Sequence, residues 1–168
     1  MNALARFWRQ PCRRYRTFAV AFALLAANFI VPAVSYTFFP DVAVRSFLDV
    51  NRLLGGDAYP FPEAASRVWR YLGAANVMTL GFMCLLVLLD LRRWFVVVVP
   101  LTFMKAYAAA LWLAGWIAAP GFRFFLAAAA LDFVTSAAFL FFALRARAEI
   151  AGVPDEELVP RPLGSRRR

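Results

Sequence analysis

Apolar residues along this chain gather into four long blocks, with the polar and charged positions falling mostly between them. The blocks occupy residues 18–39, 64–89, 94–118 and 122–144. At about 1.5 Å per residue, each can cross a hydrocarbon core of about 30 Å as an α-helix. A single chain in a bilayer must satisfy its own backbone polar groups, and uninterrupted blocks of this length do so as helices. The pattern therefore predicts an all-α integral membrane protein, a four-transmembrane-helix bundle.

The connections refine that picture. Residues 90–94 read as a tight loop of about five residues. Ala119-Pro120-Gly121 reads as another short turn, and short connections make neighbouring spans antiparallel. The longest connection, residues 40–61, carries Val44, Phe47, Leu48 and Leu54 on one helical side and Arg45, Asp49 and Arg52 opposite. That spacing predicts a short amphipathic helix over 41–54 at the outer interface, with 45/49 and 49/52 salt-bridge pairs and Gly55-Gly56 as its stop. Tyr59-Pro60-Phe61-Pro62 then reads as a stiff turn leading into the second span at Glu63.

Within the spans the polar exceptions are few. Asn28, Pro32 and Ser35 share a face of the first span, and Pro32 predicts a kink. The second opens with Arg67 and Arg70 beside Trp69 and Tyr71, an interfacial anchor, and has Gly73 and Gly81 on one side for close helix approach. The third has Pro100 near its start and a small-residue stripe of Ala106, Ala110 and Ala114. Trp112 and Trp116 mark its far end as belt residues.

Residues 1–17 contain Arg6, Arg9, Arg13, Arg14 and Arg16 and no acid, with Phe7, Trp8 and Tyr15 among them. This predicts a basic cytoplasmic segment on an anionic leaflet, helical in part and broken at Pro11. The block after it is longer than a signal-peptide core and has no small-residue cleavage site, so it reads as an uncleaved first span. Residues 18–147 form the membrane domain. Residues 148–168 are polar and Pro-bearing, and read as a disordered basic tail.

Composition agrees: 63% of the 168 residues are hydrophobic and the mean hydropathy is +0.64. The net charge of +9 would suggest nucleic acid in a soluble protein. Here the arginines flank apolar blocks, which makes them topogenic and lipid-headgroup contacts. Arg6, Arg9, Arg13, Arg14, Arg16, Arg92, Arg93, Arg145 and Arg147 fall on one side. Arg45, Arg52, Arg67, Arg70 and Arg123 fall on the other, offset by Asp41, Asp49, Asp57 and Glu63. The positive-inside rule then puts both termini in the cytoplasm and the spans in up-down-up-down order. The Ala/Arg-rich, lysine-poor composition points to a bacterial inner membrane. In outline, this four-span bundle is similar to the DoxX-like small membrane proteins. The likeness is one of hydropathy and covers only the spans, so no residue or activity is carried over.

Chemistry is constrained mainly by what the sequence lacks. It has no histidine, which removes His-ligated haem, His-centred proton relays and Ser-His-Asp catalysis. Its two cysteines, Cys12 and Cys84, form no CxxC, and Cys84 reads as an inert core thiol. There is no nucleotide loop, metal motif or nucleophile elbow, and no cofactor is expected.

Two charges remain near the middle of the apolar blocks. They are Lys105, the single lysine, and Asp132. A charge at mid-bilayer costs about 2.5–3.5 kcal/mol on insertion scales. Counting from the cytoplasmic ends at about 1.5 Å per residue, Asn28 lies about 16 Å deep, Asn76 about 20 Å, Lys105 about 17 Å and Asp132 about 18 Å. The four are expected to form one polar layer, with hydroxyls from Thr102, Thr135 and Ser136 beside the charges. Three uses of such a layer are open: glue that fixes helix pairing, a ligand or headgroup site, and a proton or ion path. The last is disfavoured because a neighbouring ammonium lowers the pKa that a proton-carrying carboxylate needs raised.

The function expected from these readings is binding. The chain would act as an accessory subunit of a membrane complex, or as a binder of lipid or a small hydrophobic ligand. Its partners would be membrane lipids and either other membrane subunits or a homo-oligomer. The alternatives are a small-solute or proton-coupled transporter and, behind it, an intramembrane enzyme limited to Asp132 and Lys105 for acid/base work.

Overall fold

The computed structural model describes residues 3–58 and 63–161, with side chains described over 4–58 and 69–161. Most of these residues are helical and none of them forms a strand. In chain order the helices are α1 (Ala3–Arg9), α2 (Arg13–Phe38), α3 (Pro40–Leu53), α4 (Glu63–Leu89), α5 (Leu91–Trp94), α6 (Val98–Ala118) and α7 (Phe124–Ile150). Short 3₁₀ turns cover Phe95–Val97 and Asp155–Glu157. Four stretches are long and apolar enough to cross a membrane: α2, α4 from Trp69, Leu91–Ala118 and α7. The chain is a multi-pass helical membrane protein.

Local chemistry explains the boundaries. Pro11 separates α1 from α2. The second helix then starts at Arg13, ahead of the apolar block, because arginine is a good helix former. Pro32 sits inside α2 without ending it. Pro40 stands in the first turn of α3, where a missing N–H is tolerated. Gly55 ends α3 with φ +72°, a left-handed conformation that glycine adopts without a Cβ clash. The expected turn at 59–62 and the side chain of Arg67 lie outside the described residues.

Residues 90–94 do not form the expected five-residue loop. Asp90 alone interrupts the helices, and its Oδ1 accepts the Arg93 N–H at 3.0 Å, capping α5. Helical structure thus resumes after one residue. The 3₁₀ turn at Phe95–Val97 precedes Pro100, whose ring crowds the carbonyl four residues back and whose nitrogen donates no bond.

α2 and α7 are the central pair, joined by Phe22 and Phe29 around Phe139, with ring centroids 5.7 and 6.1 Å apart. α4 packs on the other side of α2. Gly81 makes that contact possible, since a Cβ there would come within 2.7 Å of Ile30 Cγ1. Gly73, by contrast, faces open space. α6 packs along α7 and meets α4 only sparsely, so the outer two helices flank the central pair. Among the four candidate spans, Leu91–Ala118, which contains α6, buries the smallest share of its apolar window, 17% against 33% for α2.

The core is densest where the start of α2, the end of α4 and the end of α7 converge, around Tyr15, Phe18, Phe22, Cys84, Val87, Leu91 and Ala146. The expected disordered tail is corrected here. α7 runs on to Ile150, and the chain beyond it folds back across the bundle end with Leu158 fully buried. Gln10 Nε2 donates to the Val159 carbonyl at 2.9 Å and Gln10 Oε1 accepts the Val159 N–H at 3.1 Å. Tyr15 Oη donates to the Pro160 carbonyl at 3.0 Å. Arg92 pairs with Asp155 and donates to the carbonyls of Ile150 and Val153. One apolar side chain with a pocket, plus an arginine meeting three acceptors, orders a segment whose composition reads as loose. Residues 162–168 lie outside the described residues.

The opposite end is tied by Asn51 of α3. Its Nδ2 donates to the Asp57 carbonyl at 2.7 Å and its Oδ1 accepts the Phe124 N–H at 3.2 Å, joining the end of α3 to the start of α7. Arg123 reaches back to the Leu54 carbonyl at 2.7 Å. Asp49 pairs with Arg52 at 3.6 Å on the exposed face rather than with Arg45.

Candidate functional site

α6 and α7 each present one ionised side chain to their shared seam. Lys105 Nζ lies 2.5 Å from Asp132 Oδ1, with the two side chains 13% and 9% exposed. Asp132 Oδ2 accepts a second bond, from Trp112 Nε1 at 3.1 Å. Both carboxylate oxygens are therefore engaged by donors from α6. Trp112 follows Lys105 by seven residues, two helical turns, which brings ammonium and indole to one stripe.

The ammonium also stands 5.0 Å from the centroid of the Phe29 ring on α2. Burial strengthens this cation–π contact, because little water competes for the charge. The cluster thus joins three helices through Phe29, Lys105 and Asp132.

One turn away, Ser136 Oγ donates to the Thr102 carbonyl at 3.0 Å, a second link between α7 and α6. Thr135 Oγ1 returns to its own helix, to the Leu131 carbonyl at 2.8 Å. Thr102 Oγ1 is enclosed and makes no hydrogen bond. Towards the α3 end an aromatic group covers the cluster. Trp112 packs on Phe124 and Phe125 at 6.1 and 5.7 Å, Phe47 of α3 on Phe124 at 4.9 Å, and Tyr36 on Phe47 at 5.7 Å.

Of the seven residues read as one layer, the structure brings together five: Lys105, Asp132, Thr102, Thr135 and Ser136. Asn28 and Asn76 do not join them, and both are exposed. Counting rise along a helix gives height but not azimuth. A step of one residue turns the side chain by about 100°, so Phe29, and not Asn28, meets Lys105. On α4 the inward positions are Ala74 and Leu80, which leaves Asn76 on a flank.

Sequence reading missed three contributors. Trp112 reads as an interfacial belt residue, although its seven-residue spacing from Lys105 is a signal for the shared stripe. Phe29 looked like one aromatic among many. Asn51 lies on the expected amphipathic helix, where a polar residue reads as solvent-facing, yet it is buried.

No protein-family model, curated protein or solved structure matches this chain.

Proposed function

We propose that this protein is a subunit of a larger membrane assembly and acts by binding a transmembrane helix of a partner. One observation carries the reading. Asn28 and Asn76 are exposed within membrane-spanning helices and have no hydrogen-bond partner among the described residues. An amide side chain facing lipid has nothing to bond. One facing a neighbouring helix gains about 0.6–2 kcal/mol from a bond across the interface. The occupant is accordingly a helix with a hydrogen-bonding side chain at the same depth.

Two further features support the reading. α6, within the least buried of the four candidate spans, carries Ala106, Ala110 and Ala114 at exposed positions four residues apart, a surface on which another helix can approach closely. The Lys105–Asp132–Trp112 cluster is satisfied internally, which fits a clamp that sets helix pairing rather than a carrier of protons or solutes.

The arrangement we propose is an up-down-up-down bundle in a bacterial inner membrane. The arginine-rich ends face the cytoplasm, and α3 lies at the outer interface with its apolar side inward. The test is a photo-cross-linking residue placed at position 76, with position 82 on another face of α4 as control, in membranes of the organism that makes the protein. A discrete adduct from 76 that Asn28→Leu weakens supports the reading. Equal adducts from both positions, or adducts with lipid alone, overturn it.

A further inference from the structure

An apolar groove with a cavity volume of about 290 Å³ runs between α2 and α4 near their α1 end. Ala19, Val20 and Ala23 of α2 form one wall and Leu88 and Leu89 of α4 the other, while Phe7 and Pro160 close the end. The closing wall is built rather than incidental: Pro160 is held by the Tyr15 hydroxyl, and its neighbour Val159 is gripped twice by Gln10. The groove opens from membrane-spanning surface, so what fills it is hydrocarbon.

Charge at the mouth selects the headgroup. Arg16 precedes Ala19, Val20 and Ala23 by three, four and seven residues, and Arg13 lies one turn earlier, so both stand on the groove face of α2. The Arg16 guanidinium is fixed beside α1, donating to the Trp8 carbonyl at 2.5 Å with its centre 5.5 Å from the Trp8 ring centroid. Arg13 is exposed. The acids near this end stand elsewhere. Arg6 and Arg9 share a shallow hollow with Glu156 and Glu157, and Glu149 accepts the Tyr15 N–H at 2.8 Å. Positive charge is thus left at the head of the apolar groove.

We propose that this groove binds one acyl chain of an anionic phospholipid whose phosphate is held by Arg13 and Arg16. The proposal requires a membrane but not the partner subunit proposed above, and the two fail separately.

The experiment is native mass spectrometry of the full chain released from nanodiscs of equal phosphatidylglycerol and phosphatidylcholine. The wild-type protein is expected to keep one phosphatidylglycerol after other lipids are stripped. The double variant Arg13→Gln/Arg16→Gln loses that preference, with retention falling about fivefold for each arginine removed. Ala23→Phe, a change at an exposed position that fills the groove, removes retention of either lipid while leaving the helical circular-dichroism signal and melting temperature unchanged. Equal retention of the two lipids by the wild type overturns the proposal, as does retention that neither variant alters.

Discussion

Lys105 and Asp132 meet at 2.5 Å across the α6–α7 seam, and Phe29 of α2 lies against the ammonium on the far side. The geometry couples three helices through one charge. Removing one member of a buried pair leaves the other uncompensated, which costs about 3–5 kcal/mol, whereas replacing both with apolar groups is far milder. Asp132→Ala should therefore lower the unfolding free energy in detergent by about that amount. Adding Lys105→Met should restore much of it. A double variant as unstable as the single one would show that the two residues do not act as partners.

Trp112 holds the second oxygen of Asp132. Trp112→Phe keeps the ring beside Phe124 and Phe125 but removes the donor. The expected cost is about 1–3 kcal/mol for a buried acceptor left unpaired, less if Lys105 turns a second proton towards it. Trp112→Ala should cost more, because packing is lost as well. Equal melting temperatures for Trp112→Phe and the wild type would remove the indole from the cluster.

Asn51 supplies the polar link between the α3 turn and the first turn of α7. Asn51→Leu should destabilise by about 1–3 kcal/mol by leaving the Asp57 carbonyl and Phe124 N–H without their partner. Hydrogen exchange reads the effect locally: amides of residues 54–57 and 121–124 should exchange faster, while those around Phe139 stay protected.

Cys12 adds a pH dependence outside the spans. Burial, and then the negative charges of Glu149 and Glu157, push its thiol above the ordinary range, with Arg92 opposing them. The sign follows from linkage. A group whose folded pKa is raised contributes stability that is complete below its unfolded pKa, about 8.5 for a thiol. That contribution is lost as pH rises towards the folded value. Folded protein should therefore alkylate at Cys12 more slowly than denatured protein at pH 8–9. Its melting temperature should fall more steeply above that range than in Cys12→Ala.

The docked segment after α7 depends on Arg92 and Leu158. Arg92→Gln and Leu158→Asp should each release it, making the chain after Ile150 sensitive to limited proteolysis while α2, α4, α6 and α7 stay intact. Unchanged cleavage patterns would mean the segment is held some other way.

The spans were legible because hydrophobic block length and helix rise are one-dimensional quantities, and the Lys105–Asp132 pair followed from the expense of two mid-span charges on consecutive helices. Rotation about each helix axis was not legible. It depends on which neighbour each helix packs against, and that misplaced Asn28 and Asn76 inside the layer. The docking of residues 151–160 was hidden for a related reason. Its partners Gln10, Tyr15 and Arg92 are distant in sequence, so local composition suggested looseness where tertiary bonds impose order. Asp90 shows the same limit at short range: a single cap replaced an apparent loop.

That docking also sets an order of assembly. Gln10 and Tyr15 leave the ribosome early, yet the carbonyls that satisfy their side chains belong to Val159 and Pro160, nearly the whole chain later. While the spans are being inserted, the end of the bundle holding the densest packing remains open. It closes only when residue 160 has been made, so a chain interrupted before that point leaves the Gln10 and Tyr15 side chains without these partners.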